Sequence, residues 1–383
     1  MIYFDQAASS FPKPREIAES MYNIMVTNGA NPGRGGHALA REASQIIQET
    51  RERIAAMFDC SDPNKCIFHS NATSALNQAI KGFGLKEGDH VITTAYEHNS
   101  VRRPLEHLRQ VHNIDITYIK GDNQEALISE LKQTILSTTK LIVVNHASNI
   151  TGTIAPLKTI CSIAKDADIP VLVDASQTAG HIPIRMKKDH IDMLVFPGHK
   201  GMLGPQGTGV LLVEGNIDLQ PTVHGGTGTF SEDPGQPDVW PEKMESGTLN
   251  TPGIAGLNAA VKHLSELDMT NVPRETILIN RVIEGLDEIP DIILYGPHKA
   301  ADRLPIVAFN VKNVDSQEIA MVLDTHYNIA VRAGLHCNPL SHETLGTIHQ
   351  GAVRISLSKY NTEAEVEKFL VAMKEIVIAY DEI

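Results

Sequence analysis

The sequence predicts an α/β protein: a large domain on a mostly parallel sheet, followed by a smaller α+β C-terminal domain. Three observations carry that prediction. Short, continuously apolar runs alternate with helical patterns from about residue 66 to 213, as strands buried on both faces require. Polar clusters follow these runs one after another, where ligands bind in open α/β sheets. Beyond residue 258 that alternation stops. With 383 residues the chain has room for two cores. We expect the large domain at 16–257, and the small one at 258–383 together with 1–15.

Bulk properties narrow the function classes. A net charge of -13 disfavours nucleic acid and anionic membranes as partners, while leaving room for a small anion in a local pocket. The first residues lack a basic start and an apolar h-region, and no apolar run approaches a membrane span. Cys60, Cys66, Cys161 and Cys337 are too scattered for a disulfide framework, and no second ligand pair follows Cys60 and Cys66. A cytoplasmic protein without a metal site is the expectation.

In chain order, residues 3–14 carry two prolines and read as an extended arm. Residues 31–37 form a Gly/Pro loop holding Arg34, whose glycine neighbours allow a ligand close approach. Ala43, Ile46, Ile47, Thr50, Ile54, Met57 and Phe58 trace one helix face. Cys66 to Phe68 reads as a strand. A helix then starts near Asn71 to Ser74, and its first amides and dipole suit a phosphate, with Thr73 adding a hydroxyl. Strands follow at 90–94, 115–119, 141–145, 171–173, 191–196 and 210–213, with helices at 124–136 and 157–167 between them.

In the tail, helices at 254–267, 276–286 and 316–324 accompany strands at 292–295 and 306–311. The strand at 352–357 alternates, with Val353, Ile355 and Leu357 on one face and Arg354, Ser356 and Ser358 on the other. Thr362 and Glu365 have capping-box spacing for the last helix.

The post-strand clusters place His98, Asn149, Asp174, Gln177 and Lys200 at one sheet edge. A carboxylate and a lysine after adjacent strands match the needs of pyridoxal phosphate. The acid keeps the ring nitrogen protonated, and the amine carries the aldehyde. His98 offers a ring to stack on the cofactor, and Ala72, Thr73 and His199 a phosphate site.

These motifs run the length of the chain: Phe4-Asp5-Gln6-Ala7-Ala8, Asn71-Ala72-Thr73, Glu97-His98, Ser148 to Gly152, Asp174 to Gln177, Gly198-His199-Lys200, Gly247 to Thr251, Arg332 to Cys337, and Arg354. In this order they resemble the class V aminotransferase-fold enzymes, and within them the cysteine desulfurase and selenocysteine lyase group. The resemblance implies a fold type I pyridoxal-phosphate transferase working as a homodimer. Lys200 is then the Schiff-base lysine, Asp174 the partner of the ring nitrogen and His98 the stacking ring. Gln177 and Asn149 contact cofactor and substrate. Ala72, Thr73 and His199 hold phosphate, with Thr248 contributing from a neighbouring subunit. Arg354 grips the substrate carboxylate, and Arg332 and Arg34 line the entrance.

Cys337, within Arg332-Ala333-Gly334-Leu335-His336-Cys337, is then the thiol that takes the substrate sulfur as a persulfide and passes it to an acceptor protein. His336 beside it and Arg332 nearby are expected to favour the thiolate as cations. The motif is similar to the short-loop desulfurases. Two departures stand out. Pro197 occupies a position where the family commonly has a serine, and a proline cannot donate to phosphate; Asn338-Pro339-Leu340-Ser341-His342 also differs. The reaction implied is L-cysteine to L-alanine. Selenocysteine lysis is the alternative; an aminotransferase, a β-lyase and a non-catalytic cofactor-binding scaffold are the remaining readings.

Overall fold

The computed structural model describes residues 1–33, 35–121, 123–267 and 274–381. Strand β1 (Ile2–Tyr3) and helices α1 (Arg15–Thr27) and α2 (Ala38–Phe58) come first. A seven-stranded sheet follows: β2 (Cys66–His69), β3 (His90–Thr94), β4 (Asp115–Ile119), β5 (Thr139–Asn145), β6 (Val171–Asp174), β7 (Met193–Pro197) and β8 (Gly209–Val213). Its spatial order is β2-β8-β7-β6-β5-β3-β4. The run from β7 to β4 is parallel, and β8 is antiparallel to both β7 and β2. Helices α3 (Ala72–Gly82), α4 (Asn99–His112), α5 (Gln124–Thr134), α6 (Leu157–Asp166) and the short α7 (Met186–Asp189) make the connections.

Both faces of the central strands β6, β7 and β8 are buried, which explains their apolar runs. Val171 and Val173 join one core with helices α2 and α6, while Leu172 joins another with α3 and α4. Leu194 and Phe196 divide from Met193 and Val195 in the same way. Helix α8 (Thr251–Ser265) packs its Ile254, Leu257, Ala260 and Leu264 into the first of these cores, so it runs across the boundary expected after residue 257.

The remaining elements are α9 (Arg274–Asp287), β9 (Ile292–Tyr295), β10 (Ile306–Val311), α10 (Ser316–Tyr327), β11 (Ile329–Ala330), β12 (Arg332–Gly334), α11 (Pro339–Thr344), β13 (Ala352–Ser356) and α12 (Glu363–Asp381). Four strands form an antiparallel sheet in the order β12-β13-β10-β9 over their own core. The N-terminal arm joins it. β1 pairs with β11, the Ser356 amide donates to the Phe4 carbonyl at 2.7 Å, and Phe4 packs edge-on against Phe369 at 5.8 Å. The capping box forms, with Glu365 accepting from the Thr362 amide at 2.9 Å and Thr362 Oγ1 from the Glu365 amide at 3.2 Å.

Helices α1, α4, α7 and α11 escape the sequence pattern, the last two because each is only a turn or two long. In α1, Ile17, Met21 and Ile24 turn inward at helical spacing against α8, but exposed Tyr22, Met25 and Val26 blur that stripe in the sequence. Helix α4 carries Pro104 in its interior, a residue that reads as a breaker.

Candidate active site

Strand register sets the site. Asn145 on β5 lies opposite Asp174 on β6, and Asp174 opposite Val195 on β7, so the loops leaving three adjacent strands share one edge. A cavity of about 160 Å³ opens there. Of the expected residues, Ala72, Thr73, His98, Asn149, Asp174, Gln177, His199 and Lys200 line it together.

Asp174 is 3% exposed, with Oδ1 accepting from the Ser176 amide at 2.9 Å. Burial pushes the Lys200 ammonium down to about 8; Asp174 opposes that shift, and Arg354 and Arg332 reinforce it. Burial also lowers the His98 imidazole, with Asp174 opposing and Lys200 adding to the shift. His98 caps α4, its Nδ1 accepting from the Ser100 amide at 3.1 Å and meeting Ser100 Oγ at 2.9 Å. Ser100 Oγ in turn meets Thr73 Oγ1 at 2.7 Å. A hydroxyl chain therefore joins the His98 ring to the first turn of α3. Gln177 Nε2 donates to the Ala7 carbonyl at 3.2 Å, which ties this cavity-lining side chain to the N-terminal arm.

The residues fit pyridoxal phosphate. Asn71 spends its side chain on the Ser74 amide, and the first amides of a helix have no acceptor within it. Those of Ala72 and Thr73 thus face the cavity with the helix dipole behind them. His199 Nδ1 is buried with no partner among the described residues, and burial holds this ring down to about 4. Asp174 is a buried acid beside a cavity that would receive a protonated ring nitrogen. Pro197 lines the wall as expected, yet Ser100 and Ser176 line it too and bring hydroxyls that the sequence reading did not assign.

Beneath the cavity lies Glu97, fully buried. Its Oε1 accepts from Thr94 Oγ1 and the Asn145 amide, both at 2.8 Å, while Oε2 has no partner among the described residues. Burial pushes this carboxyl up to about 8, against those two hydrogen bonds. A carboxylate shortly after a fully buried strand was the available signal.

The cysteines divide sharply. Cys60, Cys66 and Cys161 are buried and Cys337 is exposed. Burial raises the thiols of Cys60 and Cys161 to about 11 and about 12, and that of Cys66 further in the same direction. His336 and Cys337 adopt consecutive left-handed conformations, φ 50° and 58°, each disfavoured for a residue with a side chain. The expectation that His336 acts as a cation beside the thiol is corrected. Its ring is buried, Nε2 lies 3.0 Å from the Ala352 carbonyl, and burial with Arg354 nearby drives it down to about 3. His336 is neutral at any ordinary pH.

Arg354 is 1% exposed, which explains why the polar face of β13 is buried as thoroughly as its apolar face. Its guanidinium donates to Asp5 Oδ1 at 2.7 Å and to the Asn149 carbonyl at 2.8 Å, and Nε is buried without a partner among the described residues. Arg332 lies directly opposite Arg354 in the sheet. Asp5, unassigned from sequence, pairs with Arg354. Thr248 lies away from the Lys200 cavity of its own chain, in a groove with Asn31, Arg51 and Glu245. Arg34 lies outside the described residues. No group of three metal-ligating side chains occurs among the described residues, and no helix there is long and apolar enough to cross a membrane.

Comparisons with known proteins show the family and the fold. The family model for aminotransferase class-V matches residues 2–369. A protein named "Probable cysteine desulfurase" from Methanothermobacter thermautotrophicus is 32% identical over 98% of this chain and 94% of its own. A cysteine desulfurase from Pectobacterium atrosepticum is 30% identical over 98% of this chain and 93% of its own. The apo structure of cysteine desulfurase from Thermococcus onnurineus NA1 superposes with a TM-score of 0.91 at 34% identity, covering 99% of this chain and 95% of that one.

Proposed function

The chain belongs to the class-V aminotransferase family, and on that premise we propose that it is a pyridoxal-phosphate cysteine desulfurase, turning L-cysteine into L-alanine. One observation carries the sulfur chemistry. The exposed cysteine, Cys337, is hydrogen-bonded through its carbonyl to the Asn99 amide at 2.9 Å, one residue from the cavity-lining His98.

Pyridoxal phosphate would supply an aldehyde for the substrate amine and a ring that accepts the electron pair released at Cα. The geometry supports a part for each residue. Ala72, Thr73 and His199 would hold the phosphate against the α3 dipole. Asp174 would keep the ring nitrogen protonated, and His98 would offer its ring for stacking. Lys200 Nζ, made partly neutral by burial near pH 8, takes the Cα proton. Arg354 offers its guanidinium to the substrate carboxylate, with Asp5 fixing its orientation. Cys337 Sγ then forms a bond to the substrate sulfur as the Cβ–S bond breaks and leaves its electron pair on carbon. The persulfide is passed to an acceptor protein. Thr248, remote from its own cavity, serves that of a second copy in a homodimer.

The test measures alanine formed from cysteine and from selenocysteine by the pyridoxal-phosphate-loaded protein. Cysteine turnover is expected. Turnover of selenocysteine alone makes the protein a lyase, and a protein that takes up no cofactor sinks both readings.

A further inference from the structure

We propose that Asn338 is a positioning residue: with Asn149 it forms a two-amide clasp that holds the Cys337 loop against the wall of the Lys200 cavity. The proposal rests on the reading of Cys337 as the sulfur-accepting thiol.

The loop needs holding. His336 and Cys337 both sit in left-handed backbone, and two such residues in succession do not persist without outside constraint. The constraint is on the next residue. Asn338 has no exposed surface; its Nδ2 donates to the Tyr96 carbonyl at 2.8 Å and to Asn149 Oδ1 at 3.3 Å. Asn149 answers from the other side of the cysteine, its Nδ2 donating to the His336 carbonyl at 2.8 Å. The residues on both flanks of Cys337 are therefore bonded to one amide, and that amide lines the cavity. Asn338 Oδ1 has separate work, accepting from the Ser341 amide at 3.3 Å as the cap of α11.

Acceptor and donor ends of this side chain thus do different things. The acceptor starts a helix, as Ser or Asp would equally. Only the amide donor reaches the loops leaving β3 and β5. With the backbone fixed on both sides, the Cys337 side chain keeps rotation about χ1 as its main freedom. A transfer between two sulfur atoms demands such placement, because an error of about 1 Å can cost about a hundredfold in rate.

The test uses the pyridoxal-phosphate-loaded enzyme with Asn338→Asp and Asn338→Ser. Both keep an α11 cap and lose the amide donor; the shorter serine hydroxyl cannot span to the Tyr96 carbonyl and Asn149 Oδ1 together. The expected result is a fall in kcat for alanine formation from cysteine of about tenfold or more, with KM within about twofold. Iodoacetamide is expected to alkylate Cys337 at least about threefold faster, since the released loop samples more exposed poses. A wild-type kcat and alkylation rate in either folded variant overturns the proposal. If the buried charge of Asn338→Asp prevents folding, Asn338→Ser decides alone. Should the wild type make no alanine, the desulfurase reading fails, while the alkylation comparison still decides the clasp.

Discussion

The Asn99 amide donates to the carbonyl of Cys337 at 2.9 Å, which ties the first residue of α4 to the thiol-bearing loop of the small domain. The bond uses main-chain atoms on both sides, so it survives any change of the cysteine side chain. Cys337→Ser should therefore fold, bind cofactor and keep its visible absorbance. It should lose alanine formation from cysteine by about a hundredfold or more. Near-wild-type turnover in that variant would remove Cys337 from the mechanism.

Cofactor capture should follow the titration of Lys200. Burial disfavours its ammonium, so the free amine predominates above about pH 8. The rate at which the cofactor-free protein takes up pyridoxal phosphate, followed by absorbance, is expected to rise with pH and level off just above 8. An exposed lysine would keep the rate rising to about pH 10. A profile still climbing there contradicts the assignment.

Ser100 is expected to strengthen cofactor binding. Its hydroxyl touches both Thr73 Oγ1 and His98 Nδ1, at 2.7 and 2.9 Å, in a wall where Pro197 offers no donor. Ser100→Ala should raise the cofactor Kd about five- to thirtyfold, the equivalent of about 1–2 kcal/mol. Titration monitored by fluorescence or absorbance measures this directly. An unchanged Kd means the hydroxyl chain only fills space.

Glu97 predicts a pH-dependent stability. Its folded-state carboxyl is pushed up to about 8, so the native state holds a proton that the unfolded chain releases near pH 4.5. Stability from this group is full below about pH 4.5 and is lost as pH rises to about 8. Glu97→Gln keeps the acceptor used by Thr94 and Asn145 and removes the ionisation. Its thermal midpoint should exceed that of the wild type at pH 9 by more than at pH 5, a differential of on the order of 1 kcal/mol or more. Parallel curves for the two proteins would show Glu97 to be already ionised.

Much of the fold was readable in the chain. The β-branched runs at His90–Thr94 and Asp115–Ile119 matched their strands end to end, the first buried throughout and the second at the sheet edge. Helix α1 is harder to read: Ile17, Met21 and Ile24 keep the spacing of an inward face, but exposed Tyr22, Met25 and Val26 obscure it. The residues lining the cavity were legible for a related reason. In a parallel sheet every strand delivers its following loop to the same edge, so chain order alone gathers His98, Asn149, Asp174 and Lys200.

By itself, then, the sequence determined the alternating α/β framework, the lysine and carboxylate at the sheet edge, and the order of motifs shared with the class-V aminotransferases. The tertiary structure alone decided which partners those groups meet. Sequence proximity placed His336 beside Cys337 as a cation, but left-handed backbone and burial turn its ring to the Ala352 carbonyl and keep it neutral. The same folding brings Asp5 to Arg354 and Asn338 to Asn149. Hydrogen bonds between residues far apart in the chain have no local periodicity to announce them; they exist only once both cores have closed.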